Sequence, residues 1–137
     1  EPYLSQVRAM GAEKGRILAT TLDHPCVVDT LAFSPEFVAR NPEAVKAVVK
    51  GWYDALAMIE REPGKSFEIM GKRVNQSGEA FKASAGFIEW LDAGKNRGYV
   101  AEGLPQFMAK ALEVQKEAGV VRQSPDLTKL LDTRFVA

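Results

Sequence analysis

The chain has 137 residues, one domain's worth by length, with 46% hydrophobic and 26% charged residues, a composition that argues against a disordered chain. Lys plus Arg number 18 and Asp plus Glu number 18, so the net charge is zero; with no Lys/Arg block, nucleic acid and anionic membrane are disfavoured as partners. No apolar run reaches the roughly 18 residues of a membrane span, and the single cysteine, Cys26, has no partner for an internal disulfide.

The chain opens Glu1-Pro2-Tyr3, without methionine, basic region or apolar leader, so we expect a piece of something longer. Tyr3, Leu4, Val7 and Met10 recur at helical spacing, and Gly11 is the expected stop. The apolar run 16–21 behind Gly15 reads as a first strand. Leu22-Asp23-His24-Pro25-Cys26 reads as a loop, because Pro25 forces His24 towards extended geometry and interrupts any ladder. The run from Val27 to Ser34, rich in β-branched and aromatic residues, reads as a second strand.

After Ser34 the period changes from two to 3.6. Ser34 caps a short helix starting at Pro35, and Asn41-Pro42 repeats the signal with Asn at the N-cap and Pro at the first helical position. The helix that follows carries Val45, Val48, Val49, Trp52, Leu56 and Ile59 on one stripe, with Trp52 expected in the core. Pro63 opens another helix with Phe67, Met70 and Val74 as its inward candidates. Ser77 caps the next, running towards Phe87. The stretch from Glu89 to Gly103, with Gly94 and Gly98, has no clean period and reads as a loop with short pieces. Leu104 to Ala118 is a strong helix stopped by Gly119, and Ser124-Pro125 caps a last short helix bearing Leu127, Leu130 and Leu131. The fold class is therefore α/β, helix-rich with two predicted strands. Two strands do not make a self-sufficient sheet, so either the helices form their own core or further strands lie in absent sequence.

Candidate chemistry is sparse. His24 and Cys26 sit two apart, a spacing that puts both on one side of an extended segment. A Cys–His nucleophile pair is conceivable, but no third, orienting group is identifiable, and a metal site needs more ligands than these two. The competing reading is a loop at a cleft edge or on the surface. Asp29 lies inside the most apolar run, where a carboxylate is costly unless it is paired; it either caps backbone or faces a polar ligand. Trp90, flanked by Glu89 and Asp92, either lines a cleft or anchors its loop on the helical layer. Glu60, Arg61 and Glu62 read as a solvated helix end. No glycine-rich phosphate loop or His/Glu metal motif is present. We expect no catalytic residue, no cofactor and no metal.

The run from Val27 to Trp52, Val-Val-Asp-Thr-Leu-Ala-Phe-Ser-Pro-Glu-Phe-Val-Ala-Arg-Asn-Pro-Glu-Ala-Val-Lys-Ala-Val-Val-Lys-Gly-Trp, resembles the solute-binding proteins of the nitrate, sulfonate, bicarbonate and taurine transport group. Glu1-Pro2-Tyr3-Leu4 resembles the Trp-Glu-Pro-Tyr segment of these proteins, and the ending 131–136 resembles their closing segment. The resemblance spans nearly the whole chain through order and spacing rather than one diagnostic motif. It implies a partial type II periplasmic binding protein-like lobe, with residues 1–26 the end of a second lobe and a crossover hinge and residues 27–137 the C-terminal part of the first lobe. It implies a non-enzymatic component of an ABC importer, periplasmic or extracellular and membrane-associated, that traps a small polar solute between lobes. Asp29 matches an Asp that can face a solute amine; His24 and Cys26 fall near hinge and cleft, where taurine-type members carry a Trp- and Gly-containing sequence instead. Implied partners are the solute, the membrane permease and the missing N-terminal half, and an isolated fragment would tend to self-associate. Expected ligand-binding residues are Asp29, His24, Cys26 and Trp90. The alternatives are a pyrimidine-precursor binding protein or enzyme on the same fold, whose fungal cysteine-rich motif is absent here, and a sensor or interaction module using the same lobe.

Overall fold

The computed structural model describes residues 3–136; Glu1, Pro2 and Ala137 lie outside the described residues, and with them the first two positions of the Glu1-Pro2-Tyr3-Leu4 resemblance. Among the described residues seven α-helices follow in order: α1 (Tyr3–Ala9), α2 (Pro35–Arg40), α3 (Pro42–Arg61), α4 (Pro63–Arg73), α5 (Gly78–Ala85), α6 (Ala93–Gly98) and α7 (Leu104–Glu117). A π-helical turn, Tyr99–Gly103, joins α6 to α7, and two 3₁₀ turns, Leu127–Lys129 and Thr133–Phe135, close the described chain. No strand occurs among the described residues, which overturns the α/β expectation and, with it, the partial binding-protein lobe. The physical reason lies in pairing. Both predicted strands are irregular and largely exposed, and none of residues 25–33 makes a backbone–backbone hydrogen bond to another described residue. β-Branched composition favours an extended backbone, but a sheet needs a neighbouring strand to receive its amides.

The described residues divide into two compact units. One comprises residues 3–29 and 54–90; α4 and α5 are its most closely packed pair. Ser77 Oγ accepts from Ala80 N–H (3.2 Å) and starts α5. The α4 end reverses through Asn75, whose φ of 56° is left-handed, with Gln76 N–H donating to the Gly71 carbonyl (2.9 Å). Asn is among the few non-glycine residues that accept that conformation readily. Gly71 is fixed by close approach: a Cβ there would lie 2.8 Å from the Gln76 and Ser77 carbonyl oxygens. Phe67, half-buried, sets its ring 6.4 Å from that of Phe81 in a tilted contact and stacks 6.5 Å from Trp90, centroid to centroid. Trp90 thereby anchors the chain after α5 to the helical layer. The Arg8 guanidinium of α1 lies 4.5 Å over the Phe87 ring.

The other unit comprises residues 30–53 and 91–136. Ser34 Oγ accepts from Phe37 N–H (3.2 Å), as the sequence predicts. Asn41 stands at the N-cap position of α3, its carbonyl accepting from the Ala44 and Val45 amides (3.1 and 3.2 Å), but its side-chain amide turns back to donate to the Phe37 carbonyl (3.3 Å) and closes α2. Val45 is the buried point of α3, at 2% exposure, whereas Trp52 is 44% exposed and is not core. The covered stripe runs through Val49 and Tyr53, both half-buried, and the Tyr53 hydroxyl accepts from Asn96 Nδ2 (2.8 Å). That places Val48 and Trp52 on the uncovered edge of the same apolar face. Periodicity gives the direction of a face but not how much of it a neighbour covers.

The stretch from Glu89 to Gly103, expected as a loop, is mostly helical. Asp92 Oδ1 accepts from Lys95 N–H (2.9 Å) and starts α6. The helical run then widens by one residue: Leu104 N–H donates to the Tyr99 carbonyl, five residues back. Pro105 explains the position, since it has no N–H to give the carbonyl four residues earlier. Gly103 lies where the Tyr99 ring passes, and a Cβ there would meet the ring at 2.5 Å. Gly119, with φ of 69°, ends α7, and Val120 N–H donates to the Gln115 carbonyl (2.9 Å). The turn Leu127–Lys129 is capped by Asp126, which accepts from Thr128 N–H (3.1 Å), rather than by Ser124, whose hydroxyl receives the Lys116 ammonium (3.0 Å).

The glycines give a paired stability test. Gly71→Ala drives a Cβ into two backbone carbonyls and is expected to destabilise by about 1–3 kcal/mol, the usual cost of overpacking. Gly51→Ala, inside α3 with open space at its Cβ, is expected to stabilise by about 0.5–1 kcal/mol through helix propensity. Denaturant unfolding of both variants beside the parent chain measures the two signs.

Candidate functional site

The candidate site is built around a turn that begins like a helix and cannot continue. Thr20 N–H and Thr20 Oγ1 both donate to Asp23 Oδ2, at 2.8 and 3.0 Å. Leu22 N–H returns a bond to Thr20 Oγ1 (3.2 Å), and the Asp23 and His24 amides donate to the Thr20 carbonyl (3.1 and 3.3 Å). This is the reciprocal side-chain and backbone exchange of a helix N-terminus. Pro25 follows at once, biases His24 away from helical geometry and returns the chain to an extended path. The Asp23 carboxyl is held below the ordinary aspartate value, first by the Thr20 amide and then by the Thr20 hydroxyl, both of which bond its charged form.

This turn places His24 and Cys26 on the wall of a cavity of about 430 Å³, with Leu4 of α1 and Ala19, Thr20 and Thr21 completing the lining. Its apolar elements are Leu4 and Ala19. Its polar groups are two threonine hydroxyls, an imidazole and a thiol. His24 and Cys26 are both exposed, and neither side chain is hydrogen-bonded to a described residue. A volume in this range suits a small molecule held by a few polar contacts.

The other two expected ligand-binding residues lie elsewhere. Asp29 is exposed on the extended run, without a hydrogen bond or ion pair among the described residues, so the premise of a buried carboxylate does not hold. Trp90 stacks on Phe67 and does not line the cavity. Thr20 and Thr21 escaped the sequence reading because a predicted strand end gives no reason to group them with His24. The Thr-x-x-Asp spacing of Thr20 and Asp23 was the available signal. No group of three or more His, Cys, Asp or Glu among the described residues is placed to hold a metal ion. No described helix is long and apolar enough to cross a membrane.

No protein-family model, curated protein or solved structure matches the chain.

The Asp23 lock has a definite pH sense. A depressed pKa means the folded state binds the carboxylate form, so the lock is complete at neutral pH and is lost as pH falls through the lowered Asp23 value. The Thr20 amide resonance is expected to titrate with a midpoint below the ordinary aspartate range. Asp23→Asn, which keeps an acceptor but no titrating proton, is expected to abolish that titration in a ¹⁵N spectrum.

Proposed function

We propose that this chain is part of the solute-binding component of an ABC importer, acting at the periplasmic or extracellular face by reversible binding of a small polar solute such as a sulfonate, taurine or nitrate. The observation that carries the reading is the cavity in which Thr20, Thr21, His24 and Cys26 converge, directly before the run that resembles this transport group. The Thr21 hydroxyl and the imidazole offer hydrogen bonds to anionic or polar oxygens, the Thr20 proton being committed to Asp23, while Leu4 and Ala19 cover an apolar portion. Two features favour binding over bond-breaking. His24 and Cys26 are not hydrogen-bonded to each other, and Asp23, the acid nearest in sequence, is committed to Thr20 and does not orient the imidazole.

Binding of this kind stabilises the native state by mass action, so the correct solute raises the melting temperature in proportion to the logarithm of its concentration over Kd. Native mass spectrometry of the intact protein, followed by a thermal-shift panel of sulfonates, taurine, nitrate and bicarbonate, is expected to reveal one such solute. His24→Ala is expected to weaken it roughly tenfold, the usual scale of one charge-assisted or buried hydrogen bond. Asp29→Asn, outside the lining of this cavity, is expected to leave the affinity unchanged. An empty protein that gives no shift with any member of the panel would rule the reading out.

A further inference from the structure

A second cavity, of about 530 Å³, lies in the unit that comprises residues 30–53 and 91–136 and is lined by none of the residues of the solute reading. Its wall is Arg97, Val100 and Ala101 from the widened helical run, with Thr133 and Val136 from the chain's last described turn. The lining holds one cation, one hydroxyl and three apolar side chains, and no carboxylate.

The state of Arg97 follows from its position in the helix. Helical side chains pair with neighbours three or four residues away. At those distances Arg97 has Ala93, Gly94, Val100 and Ala101, none of which is acidic. Several other basic residues are served at short range, among them Lys46 by Glu43 (2.7 Å), Lys65 by Glu62 (3.3 Å) and Lys72 by Glu68 (2.9 Å). Asp132, beside the cavity in sequence, is fully engaged by Arg134, whose Nε and Nη2 donate to its two oxygens at 2.9 and 2.6 Å. Arg97 has no hydrogen bond or ion pair with a described residue.

The turn Tyr99–Gly103 forms part of the same wall. Its extra residue, imposed by Pro105, widens the helix where Val100 and Ala101 face the cavity. The wall thus combines a planar guanidinium, suited to two parallel hydrogen bonds, with a neighbouring hydroxyl and a short apolar floor. We propose that this cavity is a binding site for a short aliphatic carboxylate, with the carboxylate on Arg97 and Thr133 and the hydrocarbon against Val100, Ala101 and Val136. The proposal is independent of the importer reading, because it uses neither the residues nor the solutes of the His24 cavity.

The test is an NMR titration of the chain with butyrate, beside butyramide as its neutral counterpart and sulfate at matched ionic strength. The expected result is saturable shifts at residues 97–101 and 133–136 with butyrate and none there with butyramide or sulfate. Arg97→Gln, at an exposed position where folding is not at stake, is expected to weaken butyrate at least roughly tenfold. Arg97→Lys, which keeps the charge but not the fork, is expected to recover part of that loss. Unchanged binding in Arg97→Gln, equal shifts with sulfate or butyramide, or no saturable shift at these residues would each overturn the proposal. Residues 19–26 report on the other cavity in the same spectra, so failure of one site is read separately from failure of the other.

Discussion

A helix start leaves amide donors without intrahelical acceptors, and at five helical starts in this chain such a donor is met by a side chain immediately upstream. Ser34 serves Phe37, Ser77 serves Ala80, Asp92 serves Lys95, Asp126 serves Thr128 and Asp132 serves Arg134. The turn at Thr20 uses the same chemistry without going on to become a helix. Where an upstream acceptor is followed by residues able to continue, a helix forms; where Pro25 follows, a fixed turn forms instead. The arrangement of the rest of the chain depends on this local satisfaction, because apolar burial is modest. Val45, Ala85 and Leu104 are the buried hydrophobic residues among those described, and side chains as large as Trp52 stay substantially exposed.

That origin explains which parts of the fold are legible in the sequence. A cap is a contact between residues two or three apart, so Ser34, Ser77, Gly11 and Gly119 mark their helix ends directly. Pro42 and Pro63 likewise mark helix starts, since the first helical position needs no amide. The signals fail where two local rules compete. At Asp92 the acidic cap was outweighed by Gly94 and Gly98, whose flexibility reads as loop although Asn96 is tied to Tyr53 by a bond no short-range pattern shows. At 124–126, Ser and Asp are both capping residues, and Lys116 draws the serine away. The strands failed for a different reason. An extended backbone is a local preference, but a sheet is a contract between segments, and the run 27–34 finds no partner among the described residues.

The candidate site divides along the same line. His24 and Cys26 share a wall because alternation along an extended chain is local geometry, legible from a spacing of two. Asp29 and Trp90 were grouped with them by resemblance and by flanking charge, neither of which fixes where a side chain points. The aromatic character of Trp90 is used against Phe67, a contact across the unit that composition leaves open. The Arg97 cavity was missed because its signal is negative. A basic residue on a helix attracts notice when an acid stands one turn away, and Arg97 is informative because none does.

Zero net charge therefore conceals an uneven field. Lys46, Lys65, Lys72, Lys129 and Arg134 each have a carboxylate within four residues, and these exposed pairs contribute little to stability but cancel one another's charge locally. Asp23, too, is bound, through the Thr20 amide and hydroxyl. What remains for an incoming molecule is the charge that short-range pairing omits. Arg97 on a helical wall and Asp29 on an extended run are two such groups, one cationic and one anionic, in different units. Each is left over for a reason set by backbone geometry: the helical neighbours of Arg97 are small or apolar, and the extended path at Asp29 brings no side chain back within a turn. Which charges stay unmatched thus depends less on how many the chain carries than on what its local structure brings within a turn of each.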